Sequence, residues 1–157
     1  MLLNRVGLKA GATAFNSRYF HKAHEIWEDI WNDSVGDEKH FVGGLVQLAA
    51  GYLKFSIGQQ NGARKLLKSG CGVLSSSGDV DSGLNLSSLI DFSEALFRSM
   101  ERGGKPDEIE YPKILKVWLS DEKRKNASFF HAQWMYVQSF FLDNEKRKVV
   151  WEVNNAN

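Results

Sequence analysis

The sequence predicts an all-α protein: a compact bundle of five or six helices around a central apolar helix at about residues 37–57. Three observations carry that expectation. The only prolines in the 157 residues are Pro106 and Pro112, so no proline interrupts a helix in the first hundred positions. Apolar residues there recur three and four apart, which is the period of one helix face. The chain is also 43% hydrophobic and 12% aromatic. That is too apolar for a disordered chain, and the length suits one domain with a real core.

The elements follow in order. Leu3, Val6, Ala10 and Ala14 set a first helix over about Leu2 to Phe15. Asn16 and Ser17 are cap-type residues and mark a break. A second helix runs from about Ser17 to Trp31, and Asn32 to Gly36 is turn chemistry. The third, from about Asp37 to Ile57, is apolar nearly all round at FVGGLVQLAAGYLKF, the signature of a buried helix. Its small residues let neighbours approach, and Gly58 closes it. The fourth runs from about Asn61 to Leu74 with Ala63, Leu66, Leu67, Cys71 and Leu74 inward. After the polar stretch Ser75 to Leu86, Ser87 or Ser88 caps a fifth helix. It carries Leu89, Ile90, Phe92, Leu96, Phe97 and Met100, and Gly103-Gly104 ends it. Lys105 to Pro112 reads as an irregular connection. Phe130, Trp134, Val137 and Phe141 have helical spacing, and Val149 to Val153 reads as a strand or a tail.

The bulk properties narrow the function classes. Lys and Arg total 20 against 19 Asp and Glu, a net charge of +1, which gives no electrostatic case for nucleic acid or an anionic membrane. Cys71 has no partner in the chain, which fits a reducing compartment and excludes a disulfide framework. No run approaches the roughly 20 apolar residues that span a bilayer. The first residues lack a long apolar signal core. The expectation is one cytoplasmic domain over residues 1–157, with self-association through the aromatic segment Phe129 to Phe141 as a candidate interaction.

The segment His21 to Trp31, HKAHEIWEDIW, is the richest in chemistry. At about 100° per residue, His21, His24, Glu25 and Glu28 share one stripe. Phe20, Ala23, Trp27, Ile30 and Trp31 fall on the other side. His24 and Glu28 border the apolar arc, whereas His21 and Glu25 turn further towards solvent. Imidazole and carboxylate are the ligands of zinc, iron and manganese, so His24 and Glu28 are a candidate pair for a divalent metal. The zinc-protease motifs HExxH and HxxEH are both absent. Glu28 as general base with His24 as partner is the enzyme alternative. Gln47 is the single amide side chain within the apolar stretch of the third helix, and a buried amide needs partners. His24 or Glu28 could supply them. Two readings therefore stand side by side. One is a polar pocket of His24, Glu25, Glu28 and Gln47 that binds a metal or small ligand. The other is a structural hydrogen-bond seam in an interaction module. Trp27 and Trp31, four apart, read as core.

The same residues bear a family resemblance. FNSRYFHKAHEIWEDIW followed by HFVGGLVQLAAGYLKFSIGQQNGARKLLKSGCGVL resembles the domain-of-unknown-function 309 family over roughly residues 8 to 103, leaving about 104–157 as an extension. The family's aromatic pair corresponds to Tyr19-Phe20, and its His-Glu-x-x-Glu-x-x-Trp segment to His24, Glu25, Glu28 and Trp31. Its Gln-Leu-Ala-Ala helix corresponds to Gln47-Leu48-Ala49-Ala50, and its Gly-Ala-x-x-Leu-Leu helix to Gly62, Ala63, Leu66 and Leu67. The resemblance implies a small all-helical protein and supplies no established catalytic residue. The chain departs from the pattern at Lys22, where the family often has an acid, and at His21, which is usually aromatic. A metal site leaning on a carboxylate at that place is not available to this chain.

Overall fold

In the computed structural model, residues 4–78, 80–104 and 109–116 are described, and they lie within one compact unit. Five helices occur among them: α1 Arg5–Asn16, α2 Phe20–Asp33, α3 Gly36–Ser56, α4 Gln60–Ser76 and α5 Ser87–Glu101. The all-α bundle with a central third helix is therefore present, and each of the first five expected helices lies within a few residues of its predicted bounds. The segments at 129–141 and 149–153 lie outside the described residues.

Packing follows chain order. α1 lies on α2, α2 and α4 lie on α3, and α5 lies on α4. The connections at residues 17–19, 34–35 and 57–59 are two or three residues long, which makes successive helices antiparallel neighbours. α3 buries Phe41, Val42, Leu45, Leu48, Ala49, Tyr52 and Phe55 between its two neighbours. Its glycines work by close approach. A Cβ on Gly44 would stand 2.7 Å from Leu74, and one on Gly51 would stand 2.9 Å from Leu67. Gly11 does the same for α1, where Trp27 lies so near that a Cβ would overlap its indole. Trp27 is fully buried there and donates its indole N–H to the Leu8 carbonyl at 3.2 Å.

The helix ends depart from the cap residues read in the sequence. Asn16 is the last residue of α1, not the cap of α2. The break is made by Arg18, whose φ of 66° reverses the chain. The Asn16 side chain is used elsewhere: Oδ1 accepts the Ile114 N–H at 2.7 Å, and Nδ2 donates to the Ile114 carbonyl at 2.8 Å. At α5, Ser87 is already helical, and its N–H is taken by the Asn85 side chain at 3.1 Å. Gly58 and Gly103 do follow α3 and α5 at positive φ, as helix-terminating glycines do.

Residues 109–116 form a strap that the helical periodicity does not announce. Ile114 is buried. Tyr111 packs on Phe20, Tyr52 and Phe55, under the Arg18 guanidinium at 4.9 Å. β2, Leu115–Lys116, pairs antiparallel with β1, Leu84–Asn85. The compact unit thus uses chain well past residue 103. No helix among the described residues is long and apolar enough to cross a membrane.

Candidate functional site

α2 buries Phe20, Ala23, Ile26, Trp27 and Ile30, and this apolar face fixes the orientation of everything else on the helix. One turn of spacing then brings His24 and Glu28 together. His24 Nδ1 stands 3.8 Å from Glu28 Oε2, with the side chains 25% and 50% exposed. His21 Nε2 lies 3.7 Å from Glu25 Oε1. Both separations are beyond a hydrogen bond, so each is an approach of imidazole to carboxylate and not a bond. His24 is reached by solvent, not sealed beneath Trp27. Glu28 is as open as Glu25, where the sequence placed it nearer the core.

Glu25 is held by a residue that sequence reasoning passed over. Lys22 is only 6% exposed, and its Nζ donates to Glu25 Oε2 at 3.1 Å. A lysine on the buried side of α2 needs its ammonium carried to a carboxylate at the edge, and Glu25 supplies one three residues on. Its spacing from Glu25 was the available signal. Glu25 is thereby engaged within its own helix, which leaves His24 and Glu28 as the accessible pair.

That pair is two donors. Among the described residues, no three His, Cys, Asp or Glu side chains converge on a place that could hold a metal ion. A zinc ion takes four ligands, so His24 and Glu28 would fill half of its positions and no more.

Gln47 does not join this pair. Among the described residues its Oε1 is buried and accepts no hydrogen bond, so the ladder expected from His24 or Glu28 is not formed there. Gln47 instead lines a cleft of about 340 Å³ together with Trp31, Gly36, Lys39, His40, Gly43 and Val73. α3 provides the floor, since positions 36, 39, 40, 43 and 47 follow one another at helical spacing on a single face. α2 provides one wall with Trp31 and α4 the other with Val73. The absence of a side chain at Gly43 lets the Trp31 indole lie close, for a Cβ there would stand 3.2 Å from its Nε1.

Trp31 is the second departure from expectation. It is 36% exposed and not core. The Lys39 ammonium sits 4.4 Å over its ring, a cation–π contact that holds the indole at the cleft edge. His40 Nε2 lies 3.1 Å from Ser76 Oγ, which ties the α3 wall to the end of α4. The spacing of Trp27 and Trp31 places both on one side of α2. It does not show that α1 covers the first and leaves the second at the edge.

Two buried groups lie apart from the cleft. Tyr52 Oη and Ser93 Oγ share a hydrogen bond of 2.7 Å between α3 and α5. Burial pushes the Tyr52 phenol up, above any physiological range. Burial, with Glu94 nearby, pushes the Cys71 thiol up to about 11. Both hold their protons and serve the core.

The fold and the cleft define a class: a helical bundle whose central helix forms the floor of a solvent-open polar cleft. Residues 8–66 match the family described as Domain of unknown function (DUF309), and the resemblance read from the motifs stands. The match begins in α1 and ends inside α4, so it contains α2, α3 and every cleft residue except Val73. No curated protein matches the chain.

Proposed function

We propose that this chain is a ligand-binding helical module whose site is the cleft between α2, α3 and α4, with Gln47 as its anchor. One observation carries the reading. A buried carbonyl oxygen without a partner among the described residues loses its hydration and gains nothing in return. The same residue, Gln47, lines a cleft of about 340 Å³, a volume in the range of small-molecule sites. A ligand carrying an N–H or O–H donor restores the missing bond once the Gln47 side chain turns its oxygen into the cleft. The experiment is a titration of ¹⁵N-labelled protein with urea and acetamide at non-denaturing concentrations. The expected result is a saturable shift of the Gln47 side-chain amide and the Trp31 indole N–H, with the Trp31 shift lost in Gln47→Met. Shifts scattered over the surface, or none at these two groups, reject the site.

A second reading keeps His24 and Glu28 as a two-point anchor for a divalent metal, with Glu28 as general base in its enzymatic form. Their 3.8 Å approach and shared access to solvent favour it. The remaining ligands would come from water, substrate or a second molecule. Calorimetric titration with zinc and manganese decides it: binding should weaken in both His24→Ala and Glu28→Gln, and equal binding by either variant removes the pair from consideration.

A further inference from the structure

We propose that the corner where α1 meets α2 is a peptide-recognition site, which the strap at 109–116 occupies in place of an extended segment from another protein. That segment carries an aromatic residue three positions before an aliphatic one, as Tyr111 and Ile114 stand in the strap. The site shares no residue with the cleft, so the two readings stand or fall separately. Three parts of the body hold the strap. The Asn16 amide clasps its backbone, accepting the Ile114 N–H at 2.7 Å and donating to the Ile114 carbonyl at 2.8 Å. This is the two-way pairing that one strand offers another, made here by a side chain. Phe20, Tyr52 and Phe55 receive the Tyr111 ring at centroid distances of 5.2, 6.0 and 6.3 Å, and the Arg18 guanidinium covers it at 4.9 Å. That is an aromatic seat closed by a cation. β1 then pairs with Leu115–Lys116, an addition of strand to strand. Backbone pairing and an aromatic-lined seat are the means by which proteins hold peptides from outside.

The strap has the character of a ligand. Residues 109–114 form neither helix nor strand, and their anchor Asn16 lies 98 positions from Ile114. Pro112 has no N–H to satisfy and biases Tyr111 towards extended chain, so the segment arrives shaped for a groove. With the strap away, Phe20, Tyr52 and Phe55 lose the ring that covers them, and an uncovered aromatic face is a place where a partner docks. The family match separates site from occupant. Residues 8–66 contain Asn16, Arg18, Phe20, Tyr52 and Phe55, whereas the strap lies outside them. The groove thus belongs to the family domain, and its present occupant to the chain that follows. A tethered segment acts at an effective concentration of millimolar order. The strap therefore keeps weak partners out and gives way to a tighter one.

The test adds the strap's own sequence, N-acetyl-Ile-Glu-Tyr-Pro-Lys-Ile-Leu amide (residues 109–115), to the full ¹⁵N-labelled chain. Two variants weaken the tethered strap and leave the groove intact: Tyr111→Ala, and Tyr111→Ala combined with Ile114→Ala. In both, the peptide should shift the Asn16 side-chain amide saturably and bind at least about tenfold more tightly than to the parent chain, where it competes with the tether. A peptide N-methylated at its second Ile lacks the clasped N–H and should bind about tenfold more weakly, the worth of one hydrogen bond. A peptide with Ala for Tyr should lose at least as much. Thermal unfolding of each variant shows that it is folded, and Tyr111→Ala alone suffices if the double variant is not. No shift of Asn16 in either weakened chain at millimolar peptide overturns the site. Equal binding of the N-methylated peptide overturns the recognition by clasp. Dimerisation of the parent chain that the peptide suppresses overturns the separate partner and assigns the groove to a second copy.

Discussion

Cys71 shows how one residue's surroundings decide its chemistry. It is a thiol on α4 with its Sγ 3.9 Å from the Ile90 carbonyl, and it is buried. Desolvation is the larger cause that raises its pKa from 9.0 to about 11, and the charge of Glu94 adds to it. The thiolate is the nucleophile, so the folded protein should react with iodoacetamide far more slowly at pH 8 than the unfolded chain. The same shift makes stability depend on pH. Below about 9 the thiol is protonated in both states and nothing changes. Between 9.0 and about 11 the unfolded thiol has lost its proton while the native one keeps it, so stability falls as pH rises through that window. Unfolding midpoints measured from pH 8 to 10.5 should decline less steeply for Cys71→Ala than for the parent. Parallel slopes would mean that Cys71 does not contribute. The sequence was enough to place Cys71 on the inner face of α4, since Ala63, Leu67 and Leu74 share its spacing. It did not reveal Ser93 and Tyr52, whose hydrogen bond between α3 and α5 lies close by, because that pairing joins positions 41 residues apart.

At the scale of elements, what periodicity encodes was legible and what single contacts encode was not. α3 was readable as central because its apolar residues surround it, and it does pack on both α2 and α4. The strap at 109–116 has no repeating pattern to read. It is held by the two hydrogen bonds of Asn16, by the burial of Ile114 and by the aromatic contacts of Tyr111. Asn16 looked like a helix cap because cap and clasp demand the same short amide. Asn16→Ala should remove both bonds and leave the Ile114 backbone to find water, at about 1–3 kcal/mol. The Ile114 amide hydrogen should then exchange faster by roughly one to two orders of magnitude, while amides in the middle of α3 exchange at a rate set by the smaller change in global stability. Asn16→Asp keeps the acceptor for the Ile114 N–H and should lie between the two. If Ile114 exchanges at one rate in all three proteins, the strap is held by its apolar contacts alone.

For the whole molecule, the cleft is a place where the bundle has not closed its own accounts of polar contact. The sequence exposed half of this. Gln47 stood out as one polar side chain within an apolar helix, and the rule that buried amides find partners pointed to His24 and Glu28. Those two turn to each other along α2 at 3.8 Å, and Gln47 lies with Trp31 and Val73 in a different group. Which wall a lone amide faces depends on how the neighbouring helices are rotated against one another, and the close fit of Trp27 against Gly11 on α1 is one contact that bears on it. That fit is a tertiary contact with no local signature. An unpartnered buried carbonyl lowers the stability of the free protein by about 1–3 kcal/mol relative to an apolar side chain of the same shape. Gln47→Met keeps the length and removes the demand. It should therefore raise the midpoint of unfolding by a few degrees, consistent with about 1 kcal/mol in a domain of this size, while abolishing the urea-induced shift of the Trp31 indole N–H. Stability and binding moving in opposite directions is the signature of a group kept for a ligand. A fall in stability on the same substitution would mean that the amide is satisfied in the free protein, and Gln47 would then be part of the scaffold and not of a site.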